Sequence, residues 1–131
     1  GYNAILTEGQ RYLLVDSPEH PPLSDIQIGS LPFAENVRST KTVVEAGHKY
    51  GLRVYLHLTA NSVADYLAEA HPEWLSVSLK DGKAKKTWGI LFACLNNPEF
   101  AQLVHQRLDT LIRETAPDGL MVDETVKSAP K

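Results

Sequence analysis

The chain has 131 residues, the length of one ordinary domain, and 43% hydrophobic against 22% charged residues place it among globular rather than disordered proteins. Its formal net charge of −3 lacks the basic surface of a phosphate-backbone binder, and no run approaches the roughly 18 apolar residues of a membrane-spanning helix. A single cysteine, Cys94, excludes an internal disulfide and a Cys-rich zinc site.

Asn3 to Glu8 has an apolar centre and stops at Gly9, which reads as a buried strand, and Tyr12 to Val15 as an extension or a second strand. Asp16 to Phe33 carries four prolines (Pro18, Pro21, Pro22 and Pro32) and reads as a long irregular loop. Loops beyond about 12–15 residues are uncommon in compact domains and usually functional or disordered. Val37 to Tyr50 is expected to be a helix, with Val37, Val43, Val44 and Tyr50 as its apolar stripe and Gly51 as its stop. Leu52 to Leu58 follows as a strand. Ser62 and Asp65 resemble a capping pair ahead of a short helix, Tyr66 to Ala70. Trp74 to Leu79 and Lys85 to Phe92 flank Asp81-Gly82, a hairpin-turn signal. Asn97 is the expected N-cap of the clearest helix, with Pro98 at its first position. Phe100, Leu103, Val104, Leu108, Leu111 and Ile112 form its apolar face, Pro117 ends it, and Leu120 to Val122 begins a strand that runs into Asp123 and Glu124.

This order predicts an α/β domain: three parallel strands joined by helical crossovers, with a β-hairpin insertion. An open doubly wound sheet and part of a (β/α)₈ barrel both satisfy it, but no Gly-rich phosphate loop follows a strand. In either architecture ligands meet the carboxyl ends of the strands. Those ends carry Glu8, then His57, Thr59 and Asn61, then Asp123 and Glu124. Asp123 shares strand parity with Met121 and Glu124 with Val122, so one carboxylate faces the site and parity alone leaves open which. Tyr55, His57 and Thr59 share one face; His57 is either a hydrogen-bonded structural group or a contact to a sugar hydroxyl or a proton. Trp74 and Trp88 either stack on sugar rings or form the hairpin's own small core. The lysines at the hairpin turn read as a solvated surface, and Cys94 has no base beside it in sequence. No metal site is expected, because His48, His71 and His105 lie on or beside helices; no cofactor is expected either.

Five segments then occur in a telling order: His48-Lys49-Tyr50-Gly51-Leu52-Arg53-Val54, His71-Pro72-Glu73-Trp74, Asp81-Gly82, Cys94-Leu95-Asn96-Asn97-Pro98-Glu99 and Pro117-Asp118-Gly119-Leu120-Met121-Val122-Asp123. The series resembles the glycosyl-hydrolase-type TIM barrels, distant relatives of α-amylases and α-L-fucosidases, over about residues 40–124, with the strand at Asn3-Ala4-Ile5 fitting as well. The resemblance implies a partial (β/α)₈ barrel and a carbohydrate substrate. Asp123 would take the place of the fourth-strand carboxylate, the nucleophile of related retaining glycosidases. His57 and Asn61 would line the sugar subsite, with Thr59 beside them; Cys94 and Asn96 match a family segment of structural character, and Asn96 is also a candidate substrate contact. Glu124 and Glu8 are the candidate acid/base partners, since glycoside hydrolysis normally takes two carboxyl groups.

The departure from the family is length, because a full barrel needs about 250 residues. Residues 1–131 are therefore expected to be one domain that is a fragment of a larger catalytic barrel, an expectation that the opening Gly1-Tyr2 without Met also prompts. A partial barrel leaves strand edges uncovered, which implies self-association or a complementing fragment, with neither nucleic acid nor membrane as partner. The alternatives are a non-catalytic carbohydrate-binding or scaffold domain, and a small α/β domain that meets a protein partner.

Overall fold

The computed structural model describes residues 2–10, 33–63, 65–87 and 90–122, with residues 8–10 described by their backbone alone. Among these residues, three strands form a parallel sheet in the order β1 (Ala4–Gln10), β2 (Arg53–Leu58), β5 (Gly119–Val122). Strand order follows chain order, as two helical crossovers between neighbouring strands require. The expected extension at Tyr12 to Val15 and nearly all of the Pro-rich loop fall outside the described residues.

The first crossover is α1 (Phe33–Lys49), four residues longer at its start than the apolar pattern predicts. Its buried stripe is Phe33, Asn36, Val37, Thr40, Val44 and Gly47. Two of those positions are polar. Thr40 is tolerated inside because its hydroxyl donates to the Asn36 carbonyl at 2.7 Å. Val43 and Tyr50, assigned to the stripe from sequence, are exposed. At the helix end Leu52 N–H donates to the Gly47 carbonyl and Gly51 N–H to the His48 carbonyl, with Gly51 at φ +72°. This Schellman closure needs a left-handed residue, which is why glycine stands there.

The second long crossover helix, α3 (Pro98–Thr115), starts as predicted. Asn97 Oδ1 accepts the Phe100 N–H at 3.0 Å, and Pro98 occupies the first turn, where no amide donor is needed. Phe100, Val104 and Leu111 bury against Val54, Leu56 and Leu58 of β2 and against Phe33, Val37 and Val44 of α1. Arg107 adds its guanidinium over the Phe33 ring at 4.3 Å. Both helices therefore cover one face of the sheet. Its other face carries Leu6, Tyr55, His57, Gly119 and Met121, which the strand pairing sets side by side.

Between β2 and α3 lie β3 (Ser62–Val63), α2 (Asp65–Ala70), a 3₁₀ turn (Pro72–Trp74) and β4 (Leu91–Phe92). The expected hairpin forms in part. At its tip Gly82 stands at φ +65°, with Gly82 N–H on the Ser78 carbonyl and Val77 bridged to Ala84. At its base Leu75 bridges Ala93 and Ser76 N–H donates to the Phe92 carbonyl at 2.8 Å. Leu91–Phe92 pairs on its other edge with Ser62–Val63. Phe92 and Ala93 are buried and need hydrogen-bond partners on both edges, which a two-stranded hairpin does not provide. Ser62, expected as a cap, is part of β3, and its hydroxyl donates to the Thr59 carbonyl at 3.3 Å.

Candidate functional site

The register brings the carboxyl ends of the three parallel strands level: Gln10 pairs with Leu58, and Leu58 with Val122. Residues that leave these ends meet along one edge of the sheet, the place where α/β architectures put their ligands. Glu8 belongs to β1 just before this edge, and its side chain lies outside the described atoms. Asp123 and Glu124 directly follow β5 in sequence and lie outside the described residues, as does Trp88.

The β2 end is the best-defined part of the site. Alternation turns Val54, Leu56 and Leu58 toward the helices, so His57 faces the other side in register with Met121, and it is 7% exposed. Thr59, Ala60, Asn61 and Ser62 continue from it, all buried. Asn61 ties this turn to the segment after β4 twice: its Nδ2 donates to the Ala93 carbonyl at 3.2 Å, and Ala93 N–H donates to the Asn61 carbonyl at 2.8 Å. Asn61 Oδ1 and Thr59 Oγ1 are buried and have no hydrogen-bond partner among the described residues. Few buried polar atoms are left so, and those that are call for an explanation.

Trp74 is a packing residue, not an open stacking platform. It is 6% exposed; one face lies flat against His71, with centroids 3.9 Å apart at 5°, and Phe100 sits tilted at 5.7 Å. Pro72 opens the 3₁₀ turn that swings the indole inward, and Nε1 donates to Glu99 Oε2 at 3.5 Å. Glu73 is held below the usual carboxylate range, first by its backbone hydrogen bond and then by His71. Asn96 is exposed in the turn that leads into α3, and half-buried Cys94 donates its N–H to the Trp74 carbonyl at 2.7 Å.

At the opposite edge of the sheet, sequence reading overlooks a fastening. Asp118 Oδ2 accepts the Val54 N–H at 2.7 Å and lies 2.8 Å from His48 Nε2, while Asp118 N–H donates to the Val54 carbonyl at 2.9 Å. The Val54 amide, followed by His48, holds the Asp118 carboxyl below its ordinary value. The partners lie 70 and 64 positions apart, so no local pattern reveals them. It joins the start of β2, the end of α1 and the approach to β5 at the amino-terminal edge, where barrels keep stabilising rather than reacting groups. Among the described residues no three His, Cys, Asp or Glu side chains gather to hold a metal, and no helix is long and apolar enough to cross a membrane.

Comparison with known proteins places this geometry. An α-amylase from Geobacillus thermoleovorans, solved with acarbose, superimposes with a TM-score of 0.59 at 21% identity over 94% of this chain and 30% of its own. A noncanonic maltogenic α-amylase from Thermotoga neapolitana gives a TM-score of 0.55 at 20% identity over 81% of this chain and 24% of its own. An α-galactosidase from Lactobacillus brevis gives 0.54 at 20% identity over 64% of this chain and 11% of its own. These neighbours are TIM-barrel glycoside hydrolases, and the chain spans at most about a third of their length. No curated protein matches the sequence. The family described as hypothetical glycosyl hydrolase 6 matches residues 26–124, well over half of the sequence. The chain belongs to that hypothetical glycosyl hydrolase family.

Proposed function

We propose that residues 1–131 are part of the catalytic barrel of a glycoside hydrolase that cleaves glycosidic bonds in an oligo- or polysaccharide by carboxylate chemistry. The observation that carries this reading is the family match across residues 26–124, which takes in β2, α3, β5 and the two carboxylates that follow. The level strand ends support it, because one edge then collects residues from β1, β2 and β5. So does the sheet face turned away from the helices. Leu6 and Met121 stand exposed there, apolar residues that the interior of a closed barrel would bury.

In the proposed reaction one carboxylic acid protonates the leaving glycosidic oxygen, while a carboxylate attacks the anomeric carbon or activates water. Asp123 is the proposed nucleophile or stabiliser, and Glu124 and Glu8 are the candidate acid/base groups. Parallel neighbours lie about 4.8 Å apart, so the β1 and β5 backbones, on either side of β2, are about 10 Å apart. Retaining glycosidases hold their two carboxyl groups about 5–5.5 Å apart and inverting ones about 6.5–9.5 Å apart. His57 and Asn61, with Thr59 beside them, line the sugar subsite in this reading.

The test is Asp123→Asn, assayed on chromogenic α-glucosides and α-galactosides beside the parent protein. Turnover should fall by at least about a thousandfold with circular dichroism unchanged, as expected when a group acting in the transition state is removed. Unchanged turnover removes Asp123 from the mechanism. Sugar binding by the parent without turnover would favour the non-catalytic alternative.

A further inference from the structure

We infer that the tip of the hairpin before α3 is a binding surface for an acidic polysaccharide, with Lys80 and Lys83 as its contacts. The inference deepens the glycosidase reading by naming the charge of the polymer, and it rests on that reading for the choice of a glycan. Residues 80–86 hold four lysines and one aspartate, a local charge of +3 in a chain whose formal net charge is −3. The fold gives these lysines two different tasks. Lys85 Nζ lies 2.8 Å from Asp81 Oδ2 and Lys86 Nζ 2.6 Å from Asp65 Oδ2, so one ties the turn to itself and the other ties the hairpin to α2. Lys80 and Lys83 are exposed and enter no ion pair among the described residues. The turn that carries them is pinned from within. Ser78 N–H donates to the Lys83 carbonyl at 2.9 Å, Gly82 N–H to the Ser78 carbonyl at 2.8 Å, and Lys80 N–H to Ser78 Oγ at 3.2 Å. Both ammonium groups thus extend from a backbone already in place, which lowers the ordering cost of binding.

Charge and width together select the partner. Two unpaired ammonium groups attract carboxylate or sulfate groups, and the acidic remainder of the chain steers such a polymer to the tip. A stable protein–protein interface buries about 1,200–2,000 Å² in total, which a turn exposed over residues 79–83 is too narrow to supply, whereas a glycan chain needs only a few contacts. Single-stranded nucleic acid calls for aromatic rings among the cations, and residues 77–86 contain none. An anionic bilayer would meet Asp81, exposed in the same turn, and would find only Val77 and Leu79 to take up, less apolar surface than stable anchoring needs. Position agrees. Leu75 at the hairpin base bridges Ala93, whose N–H donates to the Asn61 carbonyl at the ligand-binding edge of the sheet. From Leu75 to Leu79 the chain spans at most about 13 Å, so one polymer can lie on that edge and on the tip together.

The test compares the 131-residue chain with two double variants, Lys80→Gln with Lys83→Gln and Lys80→Arg with Lys83→Arg. Each protein is titrated by calorimetry with polygalacturonate, which carries carboxylates, with dextran sulfate, which carries sulfates, and with neutral amylose. Attachment to phosphatidylserine vesicles is measured beside them. The inference expects the parent to bind an acidic polymer more tightly than amylose, and whichever acidic polymer is preferred tells carboxylate from sulfate. That affinity should fall about tenfold in the Gln variant, recover in the Arg variant and weaken in about 0.5 M salt, as two exposed charge contacts require. Melting temperatures should stay unchanged, because neither lysine is part of an ion pair that the fold uses. Equal affinity in parent and Gln variant, no preference for either acidic polymer, or tighter attachment to the vesicles overturns the surface. Each of these leaves the glycosidase reading standing, since turnover by the parent and by Asp123→Asn decides that separately. A chain that binds an acidic polymer through these lysines and turns over no glycoside sustains the surface and removes the catalytic reading.

Discussion

Replacing Gly47 with alanine should destabilise this protein, although helix propensity argues the reverse. Gly47 lies in the last turn of α1, where alanine is worth about 1 kcal/mol over glycine. A Cβ at this position would stand 2.4 Å from Val54 Cγ2, against an ordinary carbon contact of about 3.5–4 Å. Val54 is fully buried and β-branched, so its methyl cannot rotate into free space. Helix and strand must then separate by about 1 Å, in a core shared with Leu56, Phe100 and Leu111. Overpacking of this kind costs about 1–3 kcal/mol, so the net expectation for Gly47→Ala is a loss of about 1 kcal/mol. For a chain of this size that is a fall of about 3–5 °C in Tm. Val54→Ala alone, which removes two buried methyl groups, should cost about 2 kcal/mol. In the double variant the new Cβ occupies the space that Val54 vacated, so the double-mutant cycle should show about 1–2 kcal/mol of favourable coupling. Urea denaturation of the four proteins measures every term. A Gly47→Ala protein more stable than the parent, or effects that simply add, would refute the close approach of α1 to β2.

Two further predictions test other supports of the site. The folded state holds the Asp118 carboxyl below its ordinary value, so its contribution to stability is present at neutral pH and is lost as the pH falls below about 4. Asp118→Asn should lower the neutral-pH Tm and flatten the acid side of the Tm–pH curve; an unchanged curve would mean that the Val54 and His48 contacts do not hold in solution. Asn97→Ala removes the acceptor of the Phe100 N–H and should cost about 1 kcal/mol, which Asn97→Asp restores in thermal melts.

Features governed by near neighbours along the chain are legible in the amino-acid order itself. Asn97, Pro98 and the three- and four-residue spacing from Phe100 onward specify the start and inner face of α3, because capping and helical periodicity act within a turn. Lys49, Tyr50 and Gly51 announce the end of α1 for the same reason. The alternation of Val54, Leu56 and Leu58 separates the helix side of β2 from the side of His57, and both sides lie where that alternation puts them. The order of elements and the ordered motifs point to the glycosyl-hydrolase barrels, and family membership agrees.

What depends on distant partners is not legible. The beginning of α1 is hidden because polar Asn36 and Thr40 sit on its buried stripe, where only tertiary packing makes them internal. The hairpin's third edge partner is equally hidden, because Ser62–Val63 reaches Leu91–Phe92 from the far side of α2. Burial likewise decides what Trp74 touches, His71 and Phe100, where the sequence leaves stacking on sugar and packing both open. Asp118 reads as half of a turn until the fold carries Val54 and His48 to it. The sequence alone therefore determined the local elements, their order and the residue types at the strand ends, since each follows from interactions within a few residues. Tertiary structure alone decided which buried polar atoms at Thr59 and Asn61 find no partner among the described residues, because satisfaction of a buried group depends on what distant segments bring within hydrogen-bond reach of it.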